Sequence, residues 1–371
     1  MKSIHPPFFS IIVTVYNKSE HLTRCLTSLV HQDSNYEVII IDDCSNDGSV
    51  AIGRQFSEKY THFRMIELTA NLNVSYVRNV GAKEALGEYL IFADADDWYT
   101  MMSLGVLKKI LEKNNHPQVG IFAYKKYKNF DYENTITFTN HLKSKRRVMN
   151  KHEAMSLYVN SKLCASPWNK VFNKSFWING GFEWPTLDQL YTPLQGSEDF
   201  AILPYAICKS DRTIISDYDF YNYNLNDSSK SATCSIEEIK ACLYSGYSLT
   251  DKFINDEVFL KMNNFNIHGL VFSHFRYVFN LNKQSMSEAD MQLFLDTIND
   301  YIQKYSVKIK KNNFKAIKRF YTDYTTASRE NNYFLGDINI DLSLYKEDYN
   351  KKSVIQNLRK FLKRLRSLIK K

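Results

Sequence analysis

No stretch of this 371-residue sequence approaches the 18 or more consecutive apolar residues of a membrane-spanning helix. It has no C-x-x-C pair either. Its six cysteines (Cys25, Cys44, Cys164, Cys208, Cys234, Cys242) are scattered without zinc spacing, and reduced thiols in a cytosolic compartment account for them. A G-x-G-x-x-G fingerprint is missing, which argues against a dinucleotide-dependent oxidoreductase. Lys2 precedes the apolar stretch Phe8 to Val15, but no small-residue cleavage site follows. Tyr16-Asn17-Lys18 runs straight into a helical pattern, so this stretch reads as a first strand rather than a signal peptide. Residues 351–371 hold no acid at all. Their nine Lys and Arg exceed the net charge of +8, leaving residues 1–350 at −1, so the body is near neutral and the basicity is a tail.

What is present suits two domains: the length is large for one, and 44% hydrophobic residues can build a sizeable core. Four strand-like runs, Phe8 to Tyr16, Tyr36 to Ile41, Phe63 to Leu68 and Tyr89 to Ala93, end roughly 25 residues apart, a βα repeat length. Helical stripes fill the gaps. Leu22, Cys25, Leu26, Leu29 and Val30 share one face. Ser49 can cap a short helix through Phe56, and Val74, Val77, Gly81 and Ala85 stripe a third. Right-handed crossovers of this kind give a parallel sheet covered on both faces.

The fourth run stops in Asp94-Ala95-Asp96-Asp97. Ligands of open α/β sheets sit beyond the carboxyl ends of the strands. Three carboxylates there repel one another unless a cation shares them, and a hard divalent ion that also takes substrate phosphate oxygens resolves the conflict. A lone Asp-x-Asp is equally the sequence of a solvated turn; the order of segments before it favours a site. The first run ends in Thr14-Val15-Tyr16-Asn17, with no Gly-rich, basic phosphate loop, and the second in Asp42-Asp43-Cys44-Ser45-Asn46-Asp47-Gly48-Ser49. If these strands are neighbours, Tyr16, Asp43 and Asp94 converge. Tyr16 and Asp43 then suit a pyrimidine base, the acidic turn its metal-bound diphosphate, and Arg78 offers the phosphate a cation.

The segments Ser10 to Asn17, Ile41 to Ser49, Val77-Arg78-Asn79-Val80-Gly81 and Gly87 to Trp98 together resemble family 2 glycosyltransferases of the GT-A fold, in order and in spacing, over about the first 105 residues. The resemblance implies a Rossmann-like, mixed, mainly parallel sheet with helices on both faces. It implies a nucleotide-sugar donor, usually a UDP-sugar, with Mn2+ or Mg2+ at the Asp-x-Asp turn, and transfer with inversion. Carried over by position, Thr14, Tyr16 and Asp43 hold the base and Arg78 lies near the diphosphate. Asp94 lies in the ribose and metal region, and Asp96 and Asp97 make the metal-diphosphate contacts. Thr14 stands where many members have Pro, and Cys44 where Gly or Asn is commoner.

Residues 115 to 160 read as surface loops around a weakly formed strand, Val119 to Tyr124, with basic clusters at Lys125-Lys126 and Lys143 to Arg147 that suit solvent or an anionic acceptor. Ala165 to Phe172 resembles the family's Trp-x-Lys stretch. Gly196-Ser197-Glu198-Asp199-Phe200 precedes an apolar helical pattern. By residue type Glu198 and Asp199 suit either helix capping or proton transfer, and the helix N-terminus is expected to keep them ionised. On the resemblance Asp199 is the catalytic base and Glu198 a neighbouring acceptor contact. Asn224 stands where an Arg often follows the aromatics of Tyr218 to Tyr223; Lys230 is a candidate substitute for that Arg.

From Ser235 the pattern turns helical. Phe272, Phe275 and Phe279 share a face that suits core packing, and His268 and His274 show no metal-ligand spacing. In the tail, Val354, Ile355, Leu358, Phe361, Leu362, Leu365, Leu368 and Ile369 form a stripe flanked by Arg359, Lys360, Lys363, Arg364 and Arg366. That pattern favours peripheral contact with an anionic inner membrane on its cytoplasmic face, over packing on its own domain, and no nucleic-acid-binding module accompanies the charge.

The expected organisation is a GT-A domain over 1–230, with 1–105 the nucleotide-sugar half and 106–230 the acceptor half. A helical domain over 231–350 and a basic tail helix over 351–371 follow. The expected activity is hexosyl or N-acetylhexosaminyl transfer from a UDP-sugar to a hydroxyl of a growing surface glycan, free or lipid-linked. The competing readings are a sugar-nucleotide nucleotidyltransferase and a non-catalytic glycan- or membrane-binding module.

Overall fold

The structure is a computed structural model that describes residues 6–128, 131–138, 147–159, 163, 165–186, 198–225, 236–260, 267–282 and 286–305. The expected tail helix over 351–371, Lys230, and Gly196 and Ser197 lie outside these residues. The chain divides into two compact units, one of residues Met1–Tyr191 with Ser197–Ala232 and one of Thr192–Gly196 with Thr233–Lys371.

The first unit opens with β1 (Phe9–Val15), α1 (Ser19–Val30), β2 (Tyr36–Asp42), α2 (Ser49–Lys59), β3 (Phe63–Glu67), α3 (Asn73–Glu84) and β4 (Tyr89–Asp94). It continues through β5 (Trp98–Tyr99), α4 (Ser103–Lys113), β6 (Val119–Lys128), β7 (Asp131–Phe138), β8 (Arg147–Met149) and α5 (Lys151–Val159). It closes with β9 (Lys170–Asn173), α6 (Lys174–Asn179), α7 (Glu198–Lys209) and β10 (Thr213–Leu225). One mixed sheet runs in the order β3-β2-β1-β4-β9-β6-β10-β5, with β7 beside β6 and β8 beside β10. β1, β2, β3 and β4 are parallel, and β9 pairs antiparallel with both β4 and β6. This is the mixed, mainly parallel sheet expected, with helices on both faces.

The alternation of side chains explains the layers. Phe9, Ile11, Val13 and Val15 of β1 pack with the buried α1 stripe Leu22, Cys25, Leu26 and Leu29 and with Leu104, Leu107, Ile110 and Leu111 of α4. Burying one such Leu stabilises the fold by roughly 1.5–3 kcal/mol. On the opposite face α3 lies so close that a Cβ on Gly81 would run into the Ile12 side chain. Phe92 of β4 meets Trp184 and Trp177 on that side, at 5.3 and 5.8 Å between ring centroids.

Two expectations are corrected. α2 starts with Ser49 inside the helix, after Gly48 at φ +106°, and runs three residues beyond Phe56 to Lys59. The weak strand is a full one: β6 spans ten residues and pairs with β10, β9 and β7. Its first five residues are all buried. Its basic end is held by an ion pair of Lys125 with Asp219 at 3.0 Å and by Lys126 over the Tyr223 ring, so those lysines do not mark a loop.

The second unit contributes α8 (Ile236–Ile254), α9 (Glu257–Leu260), α10 (Ile267–Asn282) and α11 (Glu288–Tyr305). Phe272, Phe275 and Phe279 are fully buried, as a core stripe should be. His268 is also buried, its Nδ1 2.9 Å from the Tyr301 hydroxyl, which also shares a 2.7 Å hydrogen bond with Thr250. No described helix is long and apolar enough to cross a membrane.

Candidate active site

The sheet brings three strand ends together. Thr14 lies opposite Ile41 of β2 and Asp94 of β4, and Val15 opposite Asp42. The turn after β1, the loop after β2 and the acidic turn after β4 therefore leave the sheet side by side. The first two are tied by hydrogen bonds. Asn17, at φ +50°, donates its N–H to Ser45 Oγ and accepts from the Asn46 N–H, each at 2.9 Å. Asp47 accepts from the Ser19 N–H at 2.9 Å with one oxygen, and from the Ser49 N–H and hydroxyl at 3.0 and 2.6 Å with the other. One carboxylate thus serves the first turns of both α1 and α2, doing for each what an N-cap residue does. Burial raises the Asp47 pKa, but the serine bonds outweigh it and lower it to about 2.

Tyr16 is 41% exposed, open to a stacking partner, and Thr14 makes only a long 3.5 Å contact to the Ala93 carbonyl. Asp43 is buried, its two oxygens accepting from the Leu72 and Asn73 N–H groups at 2.7 and 2.9 Å. It anchors the start of α3. A base contact would use the lone pairs left on the same carboxylate.

Arg78 is the hub of the site. Its Nη1 lies 2.9 Å from Glu198 Oε1 and 2.8 Å from Asp199 Oδ1, and its Nη2 lies 3.3 Å from Asp94 Oδ1. The guanidinium sits 4.8 Å from the centroid of the Trp184 ring. Asn79 fixes that ring by exchanging two 2.8 Å hydrogen bonds with the Trp184 backbone. Burial works against the Arg78 charge, but Asp199, Asp94 and Glu198 outweigh it and raise its pKa. Arg78 is thus committed to three carboxylates that start 16 to 121 residues away.

Glu198 and Asp199 open α7, and burial rather than the helix N-terminus dominates the pKa of Asp199. Burial comes first and raises its pKa; Arg78 pulls it down, and the charges of Glu198 and Asp94 push it up again. The balance lies well above the ordinary value. A carboxylate so placed is a stronger base than a solvated one.

The three acids of the turn differ. The side chains of Asp94 and Asp96 keep 32% and 19% of their exposure, while Asp97 is 1% exposed. Asp97 Oδ2 accepts from the Tyr221 hydroxyl at 2.6 Å and Oδ1 from the Asn224 N–H at 2.7 Å. Asp97 is therefore bound to β10 on both oxygens. Asp96 pairs with Lys18 Nζ at 2.6 Å. Among the described residues no group of three or more His, Cys, Asp or Glu is arranged to hold a metal ion. Asp94 and Asp96 nevertheless fit an ion that takes only one or two protein carboxylates and completes its shell with diphosphate and water. A cation already stands on Asp96.

Sequence reasoning missed Lys18, Asp47, Trp184 and Tyr221. Only Lys18 and Asp47 left a signal. Lys is a poor residue to precede a helix, and the Ser-Asn-Asp-Gly-Ser run, read as a turn, is rich in capping groups.

Known proteins are similar to this chain in sequence and in fold. The family described as glycosyl transferase family 2 matches residues 10–176. A poly(ribitol-phosphate) beta-glucosyltransferase of Bacillus spizizenii is 34% identical over 173 residues, which are 36% of this chain and 27% of the relative. The poly(ribitol-phosphate) beta-N-acetylglucosaminyltransferase TarS of Staphylococcus aureus is 35% identical over 100 residues, 26% of this chain and 17% of TarS. These matches span about a quarter or less of the relatives' own length. The crystal structure of S. aureus TarS residues 1–349 in complex with UDP-GlcNAc superposes with a TM-score of 0.63 over 88% of this chain and 93% of that one, at 18% identity, a likeness of fold. Residues 10–176, just under half of the chain, match glycosyl transferase family 2, and the chain is similar to its members there.

Proposed function

We propose that the chain is an inverting glycosyltransferase that moves a hexosyl or N-acetylhexosaminyl group from a UDP-sugar to a hydroxyl of a cell-surface glycan. The observation that carries this reading is the guanidinium of Arg78, shared by Asp94 on the donor side and Asp199 at the start of α7. It holds a partly exposed carboxylate for the donor and a basic carboxylate for the acceptor in one cluster.

In this reading Tyr16 stacks on the pyrimidine and Asp43 accepts from it. Asp199 takes the proton of the acceptor hydroxyl as its oxygen bonds to the anomeric carbon, opposite the departing UDP, which inverts that carbon. Glu198 holds Arg78, and through it Asp199, in place. Mn2+ or Mg2+ on Asp94 and Asp96 would neutralise the charge of the leaving diphosphate. Asp97 is assigned to positioning the turn, given its two bonds to β10.

The names of the relatives support a phosphate-containing polyol polymer as acceptor and glucose or N-acetylglucosamine as the sugar. The basic amphipathic stretch 351–371 supports peripheral contact with an anionic membrane at its cytoplasmic face, where a lipid-linked acceptor would be met.

Calorimetry of the purified chain against UDP, GDP, CMP and dTDP, with and without Mn2+, tests the donor assignment. Metal-dependent binding of UDP is expected, followed by slow hydrolysis of one UDP-sugar. Asp96→Ala should weaken UDP binding only when the metal is present. Failure of every nucleotide to bind would overturn the reading.

A further inference from the structure

Lys18 is the residue before α1, a place that favours Ser, Thr, Asp or Asn, and its side chain makes no cap. The task is done elsewhere, since Asp47 accepts from the Ser19 N–H. A positive charge at a helix N-terminus is also unfavourable to the helix. Residues that break a local rule without local gain point to another use.

The backbone of Lys18 is fixed. Its N–H donates to Ser49 Oγ at 2.9 Å, and its carbonyl accepts from the His21 and Leu22 N–H groups at 3.0 and 2.8 Å. Asn17 before it takes the left-handed turn that redirects the chain. From that pinned position the side chain spans the strand ends to Asp96, placing Nζ 2.6 Å from Oδ2. The pair is partly shielded, with side-chain exposures of 32% and 19%. Arg78 neutralises Asp94 but has no bond to Asp96, so each of the two candidate ion ligands has its own cation.

We propose that Lys18 is the resident counter-cation of Asp96, and that a divalent ion binds only by displacing it. This rests on the reading of Asp94 and Asp96 as the ion's ligands. The lysine keeps the acidic turn assembled when the ion is absent, and it sets the ion's affinity by competing for the same carboxylate oxygen. The affinity of the chain for Mn2+ is thereby held below what an unpaired Asp96 would give.

The test is Mn2+ binding, read by electron paramagnetic resonance in the presence of UDP, for the wild type, Lys18→Met and Lys18→Arg. Lys18→Met keeps the reach and loses the charge, so it should bind Mn2+ about fivefold more tightly, as expected for removal of one partly exposed ion pair. Lys18→Arg restores the cation and should return to the wild-type value. Equal or weaker affinity in Lys18→Met overturns the proposal while leaving the ion site standing. No Mn2+ binding by any of the three overturns both. The wild type alone supplies a second readout, which needs no variant to fold. Adding Mn2+ without nucleotide should raise the labelling of Lys18 by an amine-reactive reagent, and unchanged labelling counts against displacement.

Discussion

The Tyr221 hydroxyl donates to Asp97 Oδ2 at 2.6 Å and accepts from the Asp94 N–H at 3.2 Å, so one fully buried phenol on β10 clasps both ends of the acidic turn. The ring is itself stacked on Trp168, at 5.0 Å and 9° between planes. Tyr221→Phe keeps the ring and removes the clasp, leaving Asp97 with the Asn224 N–H. The expected loss is about 1–3 kcal/mol of stability, read from denaturant unfolding, with weaker Mn2+-dependent UDP binding in the folded variant. Unchanged binding would show that Asn224 holds the turn alone.

Asp199→Asn keeps the shape of the base and removes its proton affinity. UDP binding should stay at the wild-type level while transfer falls by roughly 10² to 10⁴. The direction of the pKa adds a second expectation. A base must be ionised to act, and the Asp199 pKa is raised by burial and by Glu198 and Asp94 against the pull of Arg78. The acid limb of kcat/KM should therefore fall off at a pH above the ordinary carboxylate range, which is about 4.

The Asp47 carboxylate links to stability with the opposite sign. Its pKa is lowered to about 2 from 3.8, so its contribution is present above the unfolded value and lost as pH falls from about 4 through 2. Asp47→Ala should cost about 1 kcal/mol at neutral pH, because two helix starts lose their acceptor. The difference from wild type should shrink in urea titrations taken at successively lower pH. A constant difference would mean that the contribution is not that of the ionised group.

Cys44 has φ +64°, a left-handed conformation that asparagine and glycine accept more readily. Cys44→Asn should stabilise the fold by about 0.5–1 kcal/mol, seen as a rise in Tm of a few degrees. The side chain is exposed, so no packing opposes the change.

Removing residues 351–371 takes away nine positive charges and one apolar stripe. Co-sedimentation with vesicles rich in anionic lipid should drop to the level seen with neutral vesicles, without change in UDP binding. Equal sedimentation of the shortened chain would place membrane contact elsewhere.

The first hundred residues were legible because their signals are local. Phe9–Val15, Tyr36–Asp42 and Tyr89–Asp94 are apolar runs with polar ends, and the α1 stripe repeats at helical spacing. Residues 106–230 were legible only in pieces. β6 was underestimated because Lys125 and Lys126 look solvated until Asp219 and Tyr223, nearly a hundred residues on, are in place. Trp184 over Arg78 and Tyr221 under Asp97 carry no sequence signal, since neither ring differs in spacing or context from the other aromatics around it. The three acids of the turn were found, but which of them keep their solvent exposure depends on partners 78 residues before Asp96 and 124 after Asp97.

β10 is the last described strand of the first unit, yet it lies between β6 and β5, and its Tyr221 and Asn224 hold Asp97. The most recognisable turn in the sequence is therefore held by groups more than a hundred residues further on. A nascent chain that has emerged only through Trp98 carries all three acids of the turn but none of the groups that orient Asp97. The Asp97 side chain is held only once β10 has joined the sheet, so a chain that stops before residue 221 should lack both of these bonds.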